Sequence, residues 1–224
     1  LDHVFDASWD GQYRPFAWSP DSRRVIVARY TQAVLVDVRR RTRSLLRMVG
    51  PFFNASFSPD GTSAALSGEG ASGDVVTVVR LRDRRRQRVA RLSYYDPIWG
   101  RGGIAVASER GGRGDPPVTY DLELAPPSGG KRRLLLSGST AVSWNHKGTR
   151  ILAQTPMADG LHALLVRPTD KSVQSFPTTF TVIDAISRDD RLVLGEASGN
   201  VITSGADGTV RVLAYNAVHA SWTG

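Results

Sequence analysis

The chain has 224 residues, 41% of them hydrophobic, and its 29 Lys and Arg against 21 Asp and Glu give a net charge of +8. That is enough apolar material for one large domain or two small ones, and no apolar run approaches the ~18 residues a membrane helix needs. Cysteine is absent, which excludes disulfides, thiol catalysis and cysteine-held metals. All but three of the basic residues are arginine, the lysines being Lys131, Lys147 and Lys171.

In chain order, the sequence opens at Leu1 without Met or a signal-like segment, which fits a processed start or a piece of a longer protein. Residues 1–14 read as a hairpin around Asp10-Gly11, much like residues 200–211 around Asp207-Gly208. Next comes Phe16-Ala17-Trp18-Ser19-Pro20-Asp21-Ser22, followed by the apolar run Val25-Ile26-Val27-Ala28. Asn54–Leu66 repeats it around Ser58-Pro59-Asp60-Gly61, with type I turn chemistry: Ser accepting, Pro presetting φ, Gly closing. Trp99-Gly100-Arg101-Gly102-Gly103, Trp144-Asn145-His146-Lys147-Gly148 and Ile186-Ser187-Arg188-Asp189-Asp190 stand in the same phase.

The anchors Trp18, Phe57, Trp99, Trp144 and Ile186 recur about every 40 residues, the period of a propeller blade of four short strands. The spacing predicts strands a to d near 16–19, 24–30, 33–38 and 44–49, and b to d near 63–67, 75–81 and 87–92. Later strands fall near 104–108, 118–124 and 132–136, then 150–155, 161–167 and 172–176, then 191–196, 200–204 and 209–214. No stretch of ten residues shows sustained helical periodicity. Residues 218–224, with Trp222 as anchor, read as a strand a. With residues 1–14 they would make a sixth blade lacking a normal strand b, closing both sheet edges. The expectation is therefore an all-β, six-bladed β-propeller of four-stranded antiparallel blades, one domain over 1–224.

Repeats of this Phe/Trp-Ser-Pro-Asp-Gly form resemble the TolB-like propeller repeat, found also in the propellers of prolyl-oligopeptidase and tricorn peptidases. The likeness is clearest at Trp18–Ser22 and Phe57–Gly61 and decays in the later repeats, where Ser-Pro is lost. Gly205-Ala206-Asp207-Gly208-Thr209-Val210-Arg211-Val212 is more similar to a WD40 repeat. The arginine-rich, cysteine-free style is also similar to the propellers of actinobacterial envelope lipoproteins. The resemblance implies a structural scaffold and an extracytoplasmic setting, in the periplasm or cell envelope.

Motifs with chemistry are few. Gly68-Glu69-Gly70-Ala71-Ser72-Gly73 matches G-x-G-x-x-G, but a β-branched strand follows where a phosphate site needs a helix N-terminus. It reads as a hairpin. The histidines His3, His146, His162 and His219 stand at no metal spacing, and there is no G-x-S-x-G elbow. No enzyme activity, cofactor or metal is expected. The aromatic anchors, alternating with small residues, read as packing between blades rather than as a stacking platform.

The basic runs are the functional lead. Arg39, Arg40, Arg41 and Arg43 fall at the first c–d turn, Arg84, Arg85, Arg86 and Arg88 at the second, and Lys131, Arg132 and Arg133 after the third. Successive c–d turns share one face of a propeller, so these residues would crowd positive charge along one rim, suited to carboxylate or phosphate. The expectation is a monomeric interaction module that binds an acidic protein partner through this rim or the channel mouth. An anionic membrane surface is the second option. Nucleic acid is disfavoured because no aromatics interleave the runs. Two other readings stay open: the substrate-gating propeller of a serine peptidase, and a cytoplasmic WD40-type scaffold.

Overall fold

A computed structural model describes residues 13–29, 32–46, 52–70, 73–91, 97–110 and 119–215. Among them every regular element is a strand, and the strands form five four-stranded antiparallel sheets. Sheet 1 holds β1 (Tyr13–Trp18), β2 (Arg24–Arg29), β3 (Gln32–Asp37) and β4 (Thr42–Leu46). Sheet 2 holds β5 (Phe52–Phe57), β6 (Ser63–Gly70), β7 (Gly73–Arg80) and β8 (Arg86–Arg91). Sheet 3 holds β9 (Ile98–Gly100), β10 (Gly103–Arg110), β11 (Thr119–Ala125) and β12 (Arg133–Ser137). Sheet 4 holds β13 (Thr140–Trp144), β14 (Ile151–Met157), β15 (Gly160–Val166) and β16 (Val173–Phe180). Sheet 5 holds β17 (Val182–Ile186), β18 (Leu192–Ala197), β19 (Asn200–Gly205) and β20 (Val210–Tyr215). Each sheet pairs its strands in sequence order.

The architecture follows the sequence period, with local differences. β1 starts at Tyr13, with Tyr13 opposite Arg29 and Arg14 opposite Ala28, so these two residues belong to sheet 1 and not to a sixth blade. The remainder of that expected blade, 1–12 and 218–224, lies outside the described residues, and the observed count is five sheets. β16 runs beyond its expected end to Phe180. Its ladder jumps from Ala163↔Phe176 to His162↔Thr179, and Pro177 sits in the break, where its missing N–H breaks no pairing. The Gly-rich match at 68–73 is the β6–β7 hairpin, with Gly70 opposite Gly73.

The turns between first and second strands explain why the repeat motif exists. In sheet 2 the Ser58 hydroxyl donates to Asp60 Oδ1 (2.6 Å) and accepts from Ser63 N (2.9 Å), while Thr62 N donates to the same carboxylate oxygen (3.0 Å). Gly61 N closes the turn on Ser58 O at 2.8 Å with φ +67°. Sheet 1 copies this with Ser19 and Asp21, and sheet 5 with Ser187 and Asp189. In sheet 4 Asn145 Oδ1 accepts from Thr149 N and Arg150 N, one side chain replacing the Ser–Asp pair. The fourth turn residue is left-handed in all four: Ser22 (54°), Gly61 (67°), Gly148 (66°) and Asp190 (64°). Sheet 3 has lost the motif because its turn shrinks to Arg101-Gly102, with Gly100 opposite Gly103.

Two compact units divide the chain: Leu1–Val106 with Ala125–Arg132, and Ala107–Leu124 with Arg133–Gly224. Within the first, Ala55 and Phe57 of β5 pack against Ile26, Ala33, Leu35 and Leu46 of sheet 1. Ile104, Val106 and Trp99 pack in the same way against Ala65, Val76, Val89 and Ala90 of sheet 2. In the second unit, Ile183 and Ile186 of β17 pack against Leu152, Ala163, Leu165 and Phe176 of sheet 4. Phe57, Trp99 and Ile186 thus each fill the face of the sheet before their own. Trp18 departs from this expectation and is 50% exposed. No sheet precedes β1 among the described residues. At the other end, β20 exposes Val210, Val212, Leu213 and Tyr215.

Three outcomes test this account. Phe57→Ala should destabilise by about 3–5 kcal/mol in urea melts, since the ring is buried between two sheets. Gly61→Ala should cost roughly 1–2 kcal/mol from backbone strain, its Cβ having room (nearest atom 3.4 Å), whereas Ser22→Gly should cost nothing. Stability should also fall in acid. Serine hydroxyl donation is the largest cause holding Asp21, Asp60 and Asp189 below the usual carboxylate value, and the Ser172 backbone N–H leads in lowering Asp170 to about 2. A lowered folded pKa stabilises above the unfolded value of 3.8, so this contribution is lost as pH falls from about 4 toward 2.

Candidate functional site

The arginine runs occupy the fourth-strand side of their sheets. Arg39, Arg40 and Arg41 form the β3–β4 turn and Arg43 lies on β4, all exposed. Arg84 and Arg85 lie in the β7–β8 turn, but Arg86 and Arg88 continue along β8 itself. Lys131 and Arg132 end the β11–β12 connection, and Arg133 is the first residue of β12. The second and third runs therefore extend onto the strands, and charge on a final strand also discourages edge pairing.

Hydrogen bonds join the runs within the first unit. Arg84 Nη2 donates to Ser44 Oγ at 2.6 Å, tying the second turn to β4 beside Arg43. Gln87 Nε2 donates to Ser128 O, and Arg132 Nη1 to Arg91 O at 3.4 Å, tying the third connection to β8. The acidic content is small. Asp37 accepts from Arg40 N at 2.8 Å, and Asp83 pairs with Arg80 (3.3 Å) and Arg85 (3.6 Å). The Arg85 backbone N–H, ahead of the neighbouring arginines, holds the Asp83 carboxyl below its usual range. Among the described residues no ion pair engages Arg39, Arg40, Arg41, Arg43, Arg86 or Arg88.

Arg84 differs from its neighbours. Its φ is +61°, the left-handed position that ends the five-residue turn, where Arg84 N bonds to Arg80 O at 2.9 Å. Its guanidinium is half-buried, Nη1 is enclosed without a hydrogen-bond partner, and burial lowers its pKa from the usual value. Arg84 is thus a structural tie between sheets 1 and 2 as well as a cation.

Beside it lies a half-open groove of about 400 Å³, lined by Arg24, Leu35, Thr62, Ser63, Arg80, Leu81 and Arg82. It forms where the Ser58–Ser63 turn and the β7–β8 turn of sheet 2 face the start of β2 and the end of β3. Leu81 N bonds to Thr62 O (2.9 Å) and Arg24 Nη2 to Gly61 O (2.9 Å), so both walls are braced. Sequence reasoning missed this groove. Arg24, which follows Arg23 at the start of β2, and Arg80, the last residue of β7, lie outside the three basic runs, and Arg82 stands just ahead of the second.

Among the described residues no group of three or more His, Asp or Glu could hold a metal, and no helix is long and apolar enough to cross a membrane. His146 is an exposed turn residue, and His162 pairs with Asp159 at 2.9 Å on the β14–β15 hairpin.

No protein-family model and no curated protein matches the sequence. Solved structures do match. TolB from Acinetobacter baumannii superposes with a TM-score of 0.62 at 18% identity, over 88% of this chain and 55% of that one. A putative TolB from Agrobacterium tumefaciens gives 0.69 at 14% identity, over 90% of this chain and 79% of that one. The acylaminoacyl peptidase of Pyrococcus horikoshii gives 0.65 at 15% identity, over 91% of this chain and 39% of that one. The chain shares the β-propeller fold of these structures, and it spans about half the length of the A. baumannii protein.

The double role of Arg84 has a measurable consequence. Arg84→Gln should lower stability by about 1–2 kcal/mol through loss of a charged hydrogen bond, while Arg85→Gln and Arg86→Gln should stay within about 0.5 kcal/mol in denaturant melts.

Proposed function

We propose that this chain is a non-enzymatic interaction module on a TolB-like propeller, binding an acidic protein partner through the basic strand edges of sheets 1 and 2, in the cell envelope. The observation that carries the reading is the set of exposed arginines on β4, β8 and their turns, joined by the Arg84–Ser44 bond and countered, among the described residues of these turns, by Asp37 and Asp83. Guanidinium takes a carboxylate through paired N–H donors, which an acidic protein surface supplies. The extracytoplasmic setting draws on the likeness to TolB. A second reading has its own support: the likeness to an acylaminoacyl peptidase fits a propeller domain that gates a hydrolase.

The test is a pull-down from envelope and cytoplasmic fractions with the parent and with a variant carrying Arg39→Gln, Arg40→Gln, Arg85→Gln, Arg86→Gln and Arg88→Gln. Arg84 is left intact because it holds the sheets together. The parent should retain an acidic protein at 0.1 M salt and release it at 1 M, where the Debye length falls from about 10 Å to about 3 Å. The variant should fail to retain it at either salt while melting close to the parent. Equal capture by both proteins sinks the basic-edge reading, and capture of a hydrolase in its place favours the second.

A further inference from the structure

The groove between sheets 1 and 2 has a composition that the exposed edges lack. Its floor is apolar, with Leu35 and Leu81 each 7% exposed, and three guanidinium groups stand around it. Arg24 commits one arm, Nη2, to Gly61 O, and Arg80 commits one, Nη1, to Asp83. Each therefore keeps N–H donors for another acceptor. Arg82 is exposed and makes no hydrogen bond or ion pair among the described residues. The groove's lining carries three positive charges and no carboxylate, while Asp83, Asp60 and Asp37 stand at its border beside Arg80, Thr62 and Arg24. The Thr62 hydroxyl is engaged with Asp60 (2.9 Å), so the hydroxyls here brace the wall.

We infer that this groove is the anchoring pocket for a glutamate side chain of the acidic partner. The carboxylate lies between Arg80 and Arg82, and the methylenes lie on Leu35 and Leu81. The inference rests on the reading of an acidic protein partner and names where that partner is gripped. The apolar floor selects the ligand. A bare phosphate leaves Leu35 and Leu81 uncovered, whereas a glutamate covers them with its stem and places its charge about one side chain's length away. The volume lies toward the lower end of the ~300–1,000 Å³ typical of ligand pockets, which suits one anchoring residue and its flanks rather than a whole folded domain. Bracing by Arg24 and by the Leu81–Thr62 bond holds the walls before the ligand arrives, so little ordering is needed on binding.

The experiment uses the full chain and a fluorescein-labelled hexapeptide alternating glutamate and leucine, with the glutamine counterpart as control. Inorganic phosphate and phosphatidylglycerol vesicles serve as competitors. Anisotropy should show saturable binding of the glutamate peptide and none of the glutamine peptide. Arg82→Gln, and separately the charge reversal Arg82→Glu, should weaken binding about tenfold or more, as loss of a charged hydrogen bond does. Both variants alter an exposed side chain and should melt like the parent, and Arg80→Gln should act in the same direction. Changing the outlying edge arginines, by Arg39→Gln, Arg40→Gln and Arg88→Gln, should weaken this short peptide less than about threefold, through screening alone. If the edge variant loses the peptide and the Arg82 variants keep it, the groove assignment falls while the acidic-partner reading stands. If neither set changes binding, both fall. Displacement by phosphate or vesicles at concentrations equal to those of the peptide would also overturn the assignment, because the Leu35–Leu81 floor would then contribute nothing.

Discussion

The packing of the first strands of sheets 2, 3 and 5 on the sheets before them organises this protein, because a sheet with an apolar face must bury that face against another element. Phe57 illustrates the arrangement: its own strand holds it, yet its neighbours in the core are Ile26, Leu35 and Leu46 of another sheet. Ile186 does the same against Leu152 and Phe176. The requirement to present a bulky apolar residue just before a tight turn explains the local sequence. Small residues alternate with the anchor, and a hydroxyl–carboxylate pair closes the turn so that the second strand returns in register. Where the turn shortens, at Arg101-Gly102, the pair disappears but Trp99 keeps its packing role.

The functional surface is a by-product of that stacking. Bringing β5 against sheet 1 also brings the β7–β8 turn over β4, and the Arg84–Ser44 bond and the groove both result from that approach. Arg24 takes part from the other side, reaching the backbone of Gly61 in the next turn. Residues far apart in sequence therefore meet at one place for a reason that lies in the repeat.

The fold was legible because its signals are local. Ser58-Pro59-Asp60-Gly61 specifies its turn within four residues, and the period of the anchors orders the strands. Trp18 was misread as buried because its burial depends on what lies in front of β1, which no local pattern reports. Ser22 and Asp190 adopt the same left-handed conformation as Gly61, and their residue types gave no sign of it. At the site, the basic runs were visible as clusters, but the second role of Arg84 was not, since a run of arginines reads the same whether or not one reaches a serine on another sheet. Arg24 and Arg80 were missed for a different reason: they sit at strand ends, and only the approach of sheet 2 to sheet 1 brings them to the groove.

The near-total use of arginine over lysine carries one more consequence. Guanidinium groups do not lose their proton at any pH the protein would meet, and the Arg85 amide and the neighbouring arginines hold the Asp83 carboxyl below its usual range. The arginines and Asp83 of this surface thus keep their charges around neutral pH. Any dependence of association on proton concentration in that range reports the titration of the bound molecule, and the protein itself serves as a fixed reference against which the acidity of its ligand can be read.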